Sequence, residues 1–99
     1  MKRIYLSGPM TGIEDLNFPL FNAEAKRLRA CGYVVVNPVD VNPDPDTPWN
    51  ECMRNDLREL LTCDTLALLP GWTESKGAHL EMHVAHRVGM RIVMAAEVV

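Results

Sequence analysis

Two acidic residues lie on the apolar faces of predicted helices, where a carboxyl group could take part in chemistry. On a helical wheel centred on Glu81, the residues within about 60° are small or apolar: Gly77, Ala78, Val84, Ala85 and Val88. Asp56 is surrounded in the same way by Trp49, Cys52, Met53, Leu60 and Cys63. A buried carboxyl needs a partner or a raised pKa. One ionised and one protonatable carboxyl could act as nucleophile and acid at an anomeric carbon.

Glu81 is the candidate nucleophile of this pair. Its side chain leans toward the helix N-terminus and over Gly77, where a missing side chain leaves space for a ligand. The nearby helix N-terminus favours the ionised carboxylate. Two alternatives stay open at this point: Glu81 pairs with a basic residue or caps backbone amides, and Asp56 forms a buried ion pair with Arg3 or Lys26.

Neither histidines nor cysteines form a convincing metal site. His79 and His83 have the i, i+4 spacing of metal ligands, but the wheel places the histidines on the outward face: His79, His83 and His86. The three cysteines are odd in number and have no CxxC spacing, which argues against a disulfide framework or a zinc site. Without a GxGxxG or Walker-type loop, we expect no cofactor.

Four mostly apolar runs alternate with three helical patterns. The strands are predicted at 3–7, 33–36, 65–69 and 91–95, and the helices at 18–30, 49–62 and 76–88. This alternation predicts an α/β fold with a parallel sheet and helices on both faces. The length of 99 residues predicts one domain, spanning 1–99.

Ligands of such sheets bind beyond the carboxyl ends of the strands. The segments at those ends are "SGPMTG", "NPVDVNPDPDTP" and "PGWTESKG", all rich in turn-forming residues. The second segment is long for a connection of this class. It is either a functional loop or a rigid surface linker.

Composition restricts the class of partner. The net charge is −3 and there is no basic cluster, which argues against nucleic-acid binding and favours a small molecule. No apolar run approaches the roughly 18 residues that span a bilayer, and the start lacks a signal-peptide core, so we expect no membrane association and a cytoplasmic location. A chain this short gains stability by association, so we expect a homodimer or a larger homo-oligomer.

Three segments resemble the nucleoside 2-deoxyribosyltransferase-like superfamily, which includes 2′-deoxynucleoside 5′-phosphate N-hydrolases. They are "IYLSGPMTG", "RNDLRELLTCDTLALLPGWTESKGAHLE" and "GMRIV". The most specific part is an ordered set: a tyrosine on the first strand, "NDL" on a helix, "CD" before a strand, and then S-x-G-x-x-x-E. The resemblance spans nearly the whole chain, and the most similar branch comprises small bacterial and phage proteins.

The resemblance implies a flavodoxin-like or Rossmann-like three-layer sandwich, with a four-stranded parallel sheet in the order 2-1-3-4. It implies a nucleoside or nucleotide as substrate and cleavage or transfer at its N-glycosidic bond. Glu81 resembles the nucleophile that attacks C1′, Asp56 the aspartate that assists the leaving base, and Tyr5 the tyrosine that positions the glutamate.

The resemblance also implies a set of substrate-binding residues. In the phosphate-accepting branch, the first-strand loop and the start of the last helix hold the 5′-phosphate, and the matching residues here are Ser7, Gly8, Pro9, Met10, Ser75 and Gly77. Ser75 could equally be a simple N-cap. Trp72 and Trp49 flank the expected cleft and could stack on a base, although Trp49 could belong to the core instead.

Two other functions remain possible. The same cleft could bind a nucleotide or related metabolite without turnover. Alternatively, a lone glutamate could cleave another N-glycosidic substrate, such as an NAD-like dinucleotide.

Overall fold

The structure is a computed structural model that describes all 99 residues. The strands are β1 (Arg3–Ser7), β2 (Val34–Val36), β3 (Thr65–Leu68) and β4 (Arg91–Met94), and the helices are α1 (Phe18–Ala30), α2 (Pro38–Val41), α3 (Trp49–Leu60) and α4 (Lys76–Arg87). The predicted strands and long helices are confirmed, with ends that differ by at most two residues. No helix of the chain is long and apolar enough to cross a bilayer.

The four strands form one parallel sheet in the order β2-β1-β3-β4, which confirms the predicted fold class and strand order. In the register, Tyr5 lies beside Val36 of β2 and Leu66 of β3. β1 and β3 are therefore the central strands, and their carboxyl ends lie next to each other. Side chains from the segments that follow them can meet at this edge.

The period-two alternation of β1 divides its side chains between two apolar clusters. Ile4 and Leu6 join a cluster with α1 and the C-terminal residues Ala95 and Val98. Tyr5 joins a second cluster on the other face, which contains residues of α3 and α4. This arrangement is a three-layer sandwich with helices on both faces of the sheet. Ser7, two residues after Tyr5, shares the face of α3 and α4.

The segment after β2 contains the short helix α2, which the sequence analysis did not predict. The Asn37 side chain accepts a hydrogen bond from the Val39 N–H at 3.1 Å and so caps the helix. The same side chain donates to Asn22 of α1 at 2.9 Å. The helix thereby ties the start of the long segment to the body of the molecule and delivers Asn42, which follows α2, to the region above the sheet.

Three consecutive non-glycine residues precede α1 in the left-handed region of backbone space. They are Asp15, Leu16 and Asn17, with φ angles of 53°, 51° and 60°. Such conformations cost on the order of 1 kcal/mol each and persist only when their surroundings hold them. The Asn17 side chain donates to the Pro9 carbonyl at 2.9 Å, which fixes this turn against the loop after β1.

Close packing between the ends of β1 and β3 requires glycine at position 8. A Cβ atom there would lie 2.8 Å from the Cβ of Leu69. Neither atom can move without displacing backbone, so the requirement is steric. Gly77 differs, because a Cβ there would lie 3.3 Å from Sδ of Met53, the flexible part of a long side chain.

We therefore predict that Gly8→Ala destabilises the fold by about 1–3 kcal/mol, since overpacking forces the backbone to shift. The measurement is the free energy of unfolding from urea denaturation. Gly77→Ala is the matched control, because its backbone is helical and its neighbour can adjust. Equal stability of the Gly8→Ala variant and the unmodified protein would contradict the steric argument.

Candidate active site

A cavity of about 570 Å³ opens at the carboxyl ends of the strands. This volume lies within the range of small-molecule sites. Its walls come from the loop after β1, the long segment after β2, α3 and the first turns of α4. Both acidic residues singled out by the helical wheels line it: Asp56 and Glu81.

Glu81 lies on α4 and only 5% of its surface is exposed. Two hydroxyl groups of β1 hold its carboxyl: Tyr5 Oη donates to Oε2 at 2.5 Å and Ser7 Oγ donates to Oε1 at 2.7 Å. Because Tyr5 and Ser7 are two residues apart on a strand, they face the same helix. Neither a basic partner nor a capped amide is present, so both alternatives considered for Glu81 are wrong.

Asp56 lies on α3 and is 8% exposed. Its Oδ1 accepts a hydrogen bond from Asn42 Nδ2 at 2.8 Å. The alternative of an ion pair with Arg3 or Lys26 is wrong: Arg3 contacts Glu59 instead, at 3.7 Å. Asp56 is thus a buried acid held by an amide, with no cation to keep it charged.

Burial raises the pKa of Glu81 to about 8 and that of Asp56 to about 7. Hydrogen bonds from Tyr5 and Ser7 lower the pKa of Glu81, while the nearby Asp56 raises it. The hydrogen bond from Asn42 lowers the pKa of Asp56, and the nearby Tyr5 hydroxyl acts in the same direction. The expectation that the helix N-terminus keeps Glu81 ionised is wrong for the free protein, because desolvation outweighs the helix dipole.

Burial and the two carboxylates also raise the pKa of Tyr5 well above its ordinary value. Its hydroxyl therefore stays protonated at neutral pH and remains a donor. Tyr5 lies against the two acids and is completely buried. It can hold Glu81 in place and favour its charged form, but it does not line the cavity.

The structure brings most of the expected site residues to the cavity wall: Gly8, Pro9, Met10, Asp56, Ser75, Gly77 and Glu81. Ser7 does not reach it, because its side chain is buried and its hydroxyl is bonded to Glu81. The expectation that Ser7 contacts a phosphate is therefore corrected: its side chain supports the carboxyl. The period-two relation between Tyr5 and Ser7 is the signal that could have shown this.

Trp72 also lies outside the cavity, contrary to expectation. It follows Gly71, whose φ of 84° turns the chain, and packs against the cluster of α3 and α4. Its ring lies 5.4 Å from that of His79. Stacking of a substrate base on Trp72 is therefore incompatible with this arrangement.

Ser75 joins two walls of the cavity. Its hydroxyl accepts from the Ala78 N–H at 3.1 Å, so it is the N-cap of α4. The same hydroxyl donates to the Gly8 carbonyl at 3.4 Å. The first turn of α4 and the loop after β1 are thus held together beside Glu81.

Met53 packs near Gly77, so the space above that glycine is not empty. This corrects the idea that a missing side chain at position 77 alone gives a ligand access to Glu81. Both residues line the cavity, and the thioether is flexible. Access to the carboxyl therefore depends on the position of the Met53 side chain.

Lys76 and Trp49 are in contact at the rim of the cavity, and the sequence pattern did not predict this contact. The Lys76 ammonium lies 4.5 Å from the centre of the Trp49 ring, a cation–π contact between the starts of α4 and α3. Both residues line the cavity, and Trp49 is 38% exposed. Asn42 was missed as well, although its segment was recognised as unusually long.

The three histidines of α4 are exposed, as the helical wheel predicted. His79 Nε2 lies 2.7 Å from the Thr73 carbonyl oxygen, so this ring fixes the turn before α4. Its contacts with Thr73 and Trp72 give it a structural role away from the cavity.

A family model described as a domain of unknown function (DUF4406) matches residues 2–94. No curated protein matches the chain by sequence.

Solved structures of two deoxyribosyltransferases and an N-glycosidase are similar in fold. A 2-desoxiribosyltransferase from Leishmania mexicana has a TM-score of 0.73 at 20% identity, over 95% of this chain and 63% of that one. A CMP N-glycosidase from Clostridium botulinum has a TM-score of 0.64 at 20% identity, over 94% and 67%. A 2-deoxyribosyltransferase from Bacillus psychrosaccharolyticus has a TM-score of 0.68 at 19% identity, over 98% and 76%.

The chain thus shares the fold of these three enzymes. It spans less than two thirds of the length of the Leishmania enzyme.

The raised pKa values predict that stability falls as pH rises. The pKa of Glu81 is about 8 in the folded protein, against 4.5 for a free glutamate side chain. A carboxyl with a raised pKa contributes its full stabilisation only below the pKa of the unfolded state, here 4.5. This contribution is lost as pH rises toward the upper value. We expect Glu81→Gln to remove about 1.4 kcal/mol per pH unit from the slope of unfolding free energy between pH 5 and pH 8.

The measurement is urea denaturation at several pH values. Glu51→Gln, at an exposed glutamate of α3, is the control and should keep the original slope. A Glu81→Gln variant with an unchanged slope would show that Glu81 is already ionised in the folded protein.

Proposed function

The chain belongs to the DUF4406 family, and we propose that it cleaves or transfers the N-glycosidic bond of a nucleoside or nucleotide, with Glu81 as the nucleophile. The observation that carries this proposal is the placement of Glu81. A nearly buried carboxyl lies at a cavity wall, with one hydroxyl donor on each oxygen and no cation beside it. The structures of similar fold, two deoxyribosyltransferases and an N-glycosidase, support the reaction class.

In the first step, an oxygen of Glu81 attacks C1′ of the sugar and the bond between C1′ and the base nitrogen breaks. The electron pair of that bond goes to the base. A carboxylate ester of the sugar forms, in the manner of a retaining glycosidase. Tyr5 and Ser7 hold the two carboxyl oxygens, so Glu81 cannot rotate away from the cavity.

Asp56 supplies the proton to the leaving base. Its pKa of about 7 suits an acid that gives up a proton near neutral pH. The productive form carries the proton on Asp56 and the charge on Glu81. In the free protein the pKa of Glu81, about 8, lies above that of Asp56, about 7, so this form is the less populated of the two singly protonated forms. The hydroxyls of Tyr5 and Ser7 increase its share, since both donate to Glu81 and lower its pKa. In the second step water or another base takes the sugar from Glu81, which gives hydrolysis or transfer respectively.

The loop after β1 and the first turn of α4 suit the 5′ end of the substrate. N–H groups in the first turn of a helix have no partner within the helix, and they attract an oxygen atom or an anion. Lys76 adds a positive charge on the same wall. The loop after β1 lines the cavity with Gly8, Pro9 and Met10. This end of the cavity can accept a 5′-hydroxyl or a 5′-phosphate.

The test is incubation with a panel of deoxynucleosides and deoxynucleotides, with and without a free acceptor base, followed by chromatography of the products. We expect release of the base from at least one substrate and a loss of at least about 10³-fold in Glu81→Gln. Glu51→Gln is the matched control and should retain activity, because it lies outside the cavity.

Other outcomes identify the alternatives. Release of nicotinamide from NAD, without release of a nucleobase, would indicate a dinucleotide substrate. Tight binding of an intact nucleotide after prolonged incubation would indicate a binding protein. Full activity of Glu81→Gln would exclude Glu81 as the nucleophile.

The two hydroxyl donors should control the upper end of the pH range in which the enzyme is active. Removing either donor raises the pKa of Glu81, because each bond stabilises the charged form. Because the pKa of Glu81 is the higher of the two, the alkaline limb of the kcat/KM profile reports its titration. We expect Tyr5→Phe and Ser7→Ala to move this limb upward by about one pH unit and to lower the maximum of the profile. The measurement is a pH–rate profile on the best substrate of the panel. A limb that stays in place in both variants would contradict this role.

A further inference from the structure

A chain of hydrogen bonds connects a surface arginine to Asp56. Arg58 Nη1 donates to Asn55 Oδ1 at 3.1 Å, Asn55 Nδ2 donates to Asn42 Oδ1 at 2.9 Å, and Asn42 Nδ2 donates to Asp56 Oδ1 at 2.8 Å. Helix α3 carries Arg58, Asn55 and Asp56, whereas Asn42 comes from the long segment after β2. We name Arg58, Asn55 and Asn42 the amide relay.

The relay has only one possible direction. A guanidinium has no acceptor, so Asn55 must turn its oxygen toward Arg58 and its NH₂ toward Asn42. Asn42 must then turn its oxygen toward Asn55 and its NH₂ toward Asp56. The Cys52 carbonyl oxygen, an obligate acceptor 3.5 Å from Asn42 Nδ2, enforces the same orientation of Asn42 from a second side.

This direction decides which oxygen of Asp56 can carry a proton. A proton on Oδ1 would face the NH₂ of Asn42, so two donors would meet. We propose that the amide relay fixes Oδ1 of Asp56 as an acceptor and leaves Oδ2 as the position of the transferable proton. Its three members are positioning residues, and the inference rests on the proposed function, in which Asp56 protonates the leaving base.

The relay acts before and after proton transfer. Before it, the neutral carboxyl is held in one protonation form, with Oδ2–H available. During the step the Oδ2–H bond breaks, the base nitrogen receives the proton, and the electron pair of the C1′–N bond goes to the base. Asp56 is left as a carboxylate, and the Asn42 N–H stabilises that negative charge.

The titration of Asp56 tests the relay without any substrate. The titratable groups that face Asp56 are Tyr5 from β1, Glu81 from α4 and Cys52 from its own helix. Glu81 is the group whose titration overlaps with that of Asp56. A Glu81→Gln background removes that overlap, and the side-chain carboxyl signal of Asp56 is then followed by carbon NMR on aspartate-labelled protein. Asp56→Asn identifies the signal.

In this background, Asn42→Ala should shift the midpoint of the Asp56 titration upward by about one pH unit, because a donor to the carboxylate is lost. Arg58→Met, at the exposed end of the relay, should give a smaller shift in the same direction. It also keeps the test decisive if Asn42→Ala does not fold.

Arg54→Met is the matched control. Arg54 and Arg58 are both exposed and both lie two residues from Asp56 on α3, but Arg54 makes no hydrogen bond to the relay. A simple loss of positive charge would act equally at both positions, whereas the relay predicts a larger shift for Arg58→Met. Equal shifts in these two variants, or an unchanged titration in folded Asn42→Ala, would overturn the proposal.

The outcome is independent of the proposed function. If no substrate is cleaved but the Asp56 titration shifts as described, the relay stands and the reaction assignment fails. If base release depends on Glu81 but the Asp56 titration is unchanged in the relay variants, the reaction assignment stands and the relay proposal fails.

Discussion

The burial of two carboxyl groups without a neighbouring cation is the constraint on which the site depends. An ionised carboxylate in such a place is unstable unless donors surround it. Here the donors are neutral: two hydroxyls for Glu81 and an amide for Asp56. Neutral donors lower a carboxyl pKa less than a buried arginine does, so both groups titrate near neutral pH. Burial therefore costs free energy, but it gives two carboxyl groups that can gain or lose a proton near neutral pH.

The sheet order makes this arrangement possible. β1 is central, and its alternating side chains send Tyr5 toward the face covered by α3 and α4. The two acids come from different helices on that face and meet above the carboxyl edge of the sheet. Every side chain that holds or carries a candidate reacting group lies between residues 5 and 81, within the part of the chain that the family model matches.

Much of this could be predicted because periodicity determines which side of an element a residue faces. The burial of Asp56 and Glu81 followed from the wheels, and the sheet followed from the alternation of strands and helices. Ionisation of Glu81 was misjudged because a dipole effect of about 1 kcal/mol was weighed without the larger cost of desolvation. Periodicity does not predict the geometry of loops. The turn at Gly71 directs Trp72 away from the cavity, and the residue that caps α2, Asn37, is held by a hydrogen bond to Asn22 of α1. The homo-oligomer and the cytoplasmic location stay predictions, because contacts within one chain do not determine them.

The cation–π contact at the cavity rim places a fluorescent side chain at the candidate ligand site. Of the two tryptophans, Trp49 lines the cavity beneath the Lys76 ammonium, whereas Trp72 packs away from it beside His79. A ligand that draws Lys76 toward an anionic group uncovers the face of the Trp49 indole and changes its fluorescence. Occupancy of the cavity can therefore be followed in real time in a Trp72→Phe background, whether or not a bond is cleaved. The contact between Lys76 and Trp49 thus allows ligand binding to be measured separately from bond cleavage.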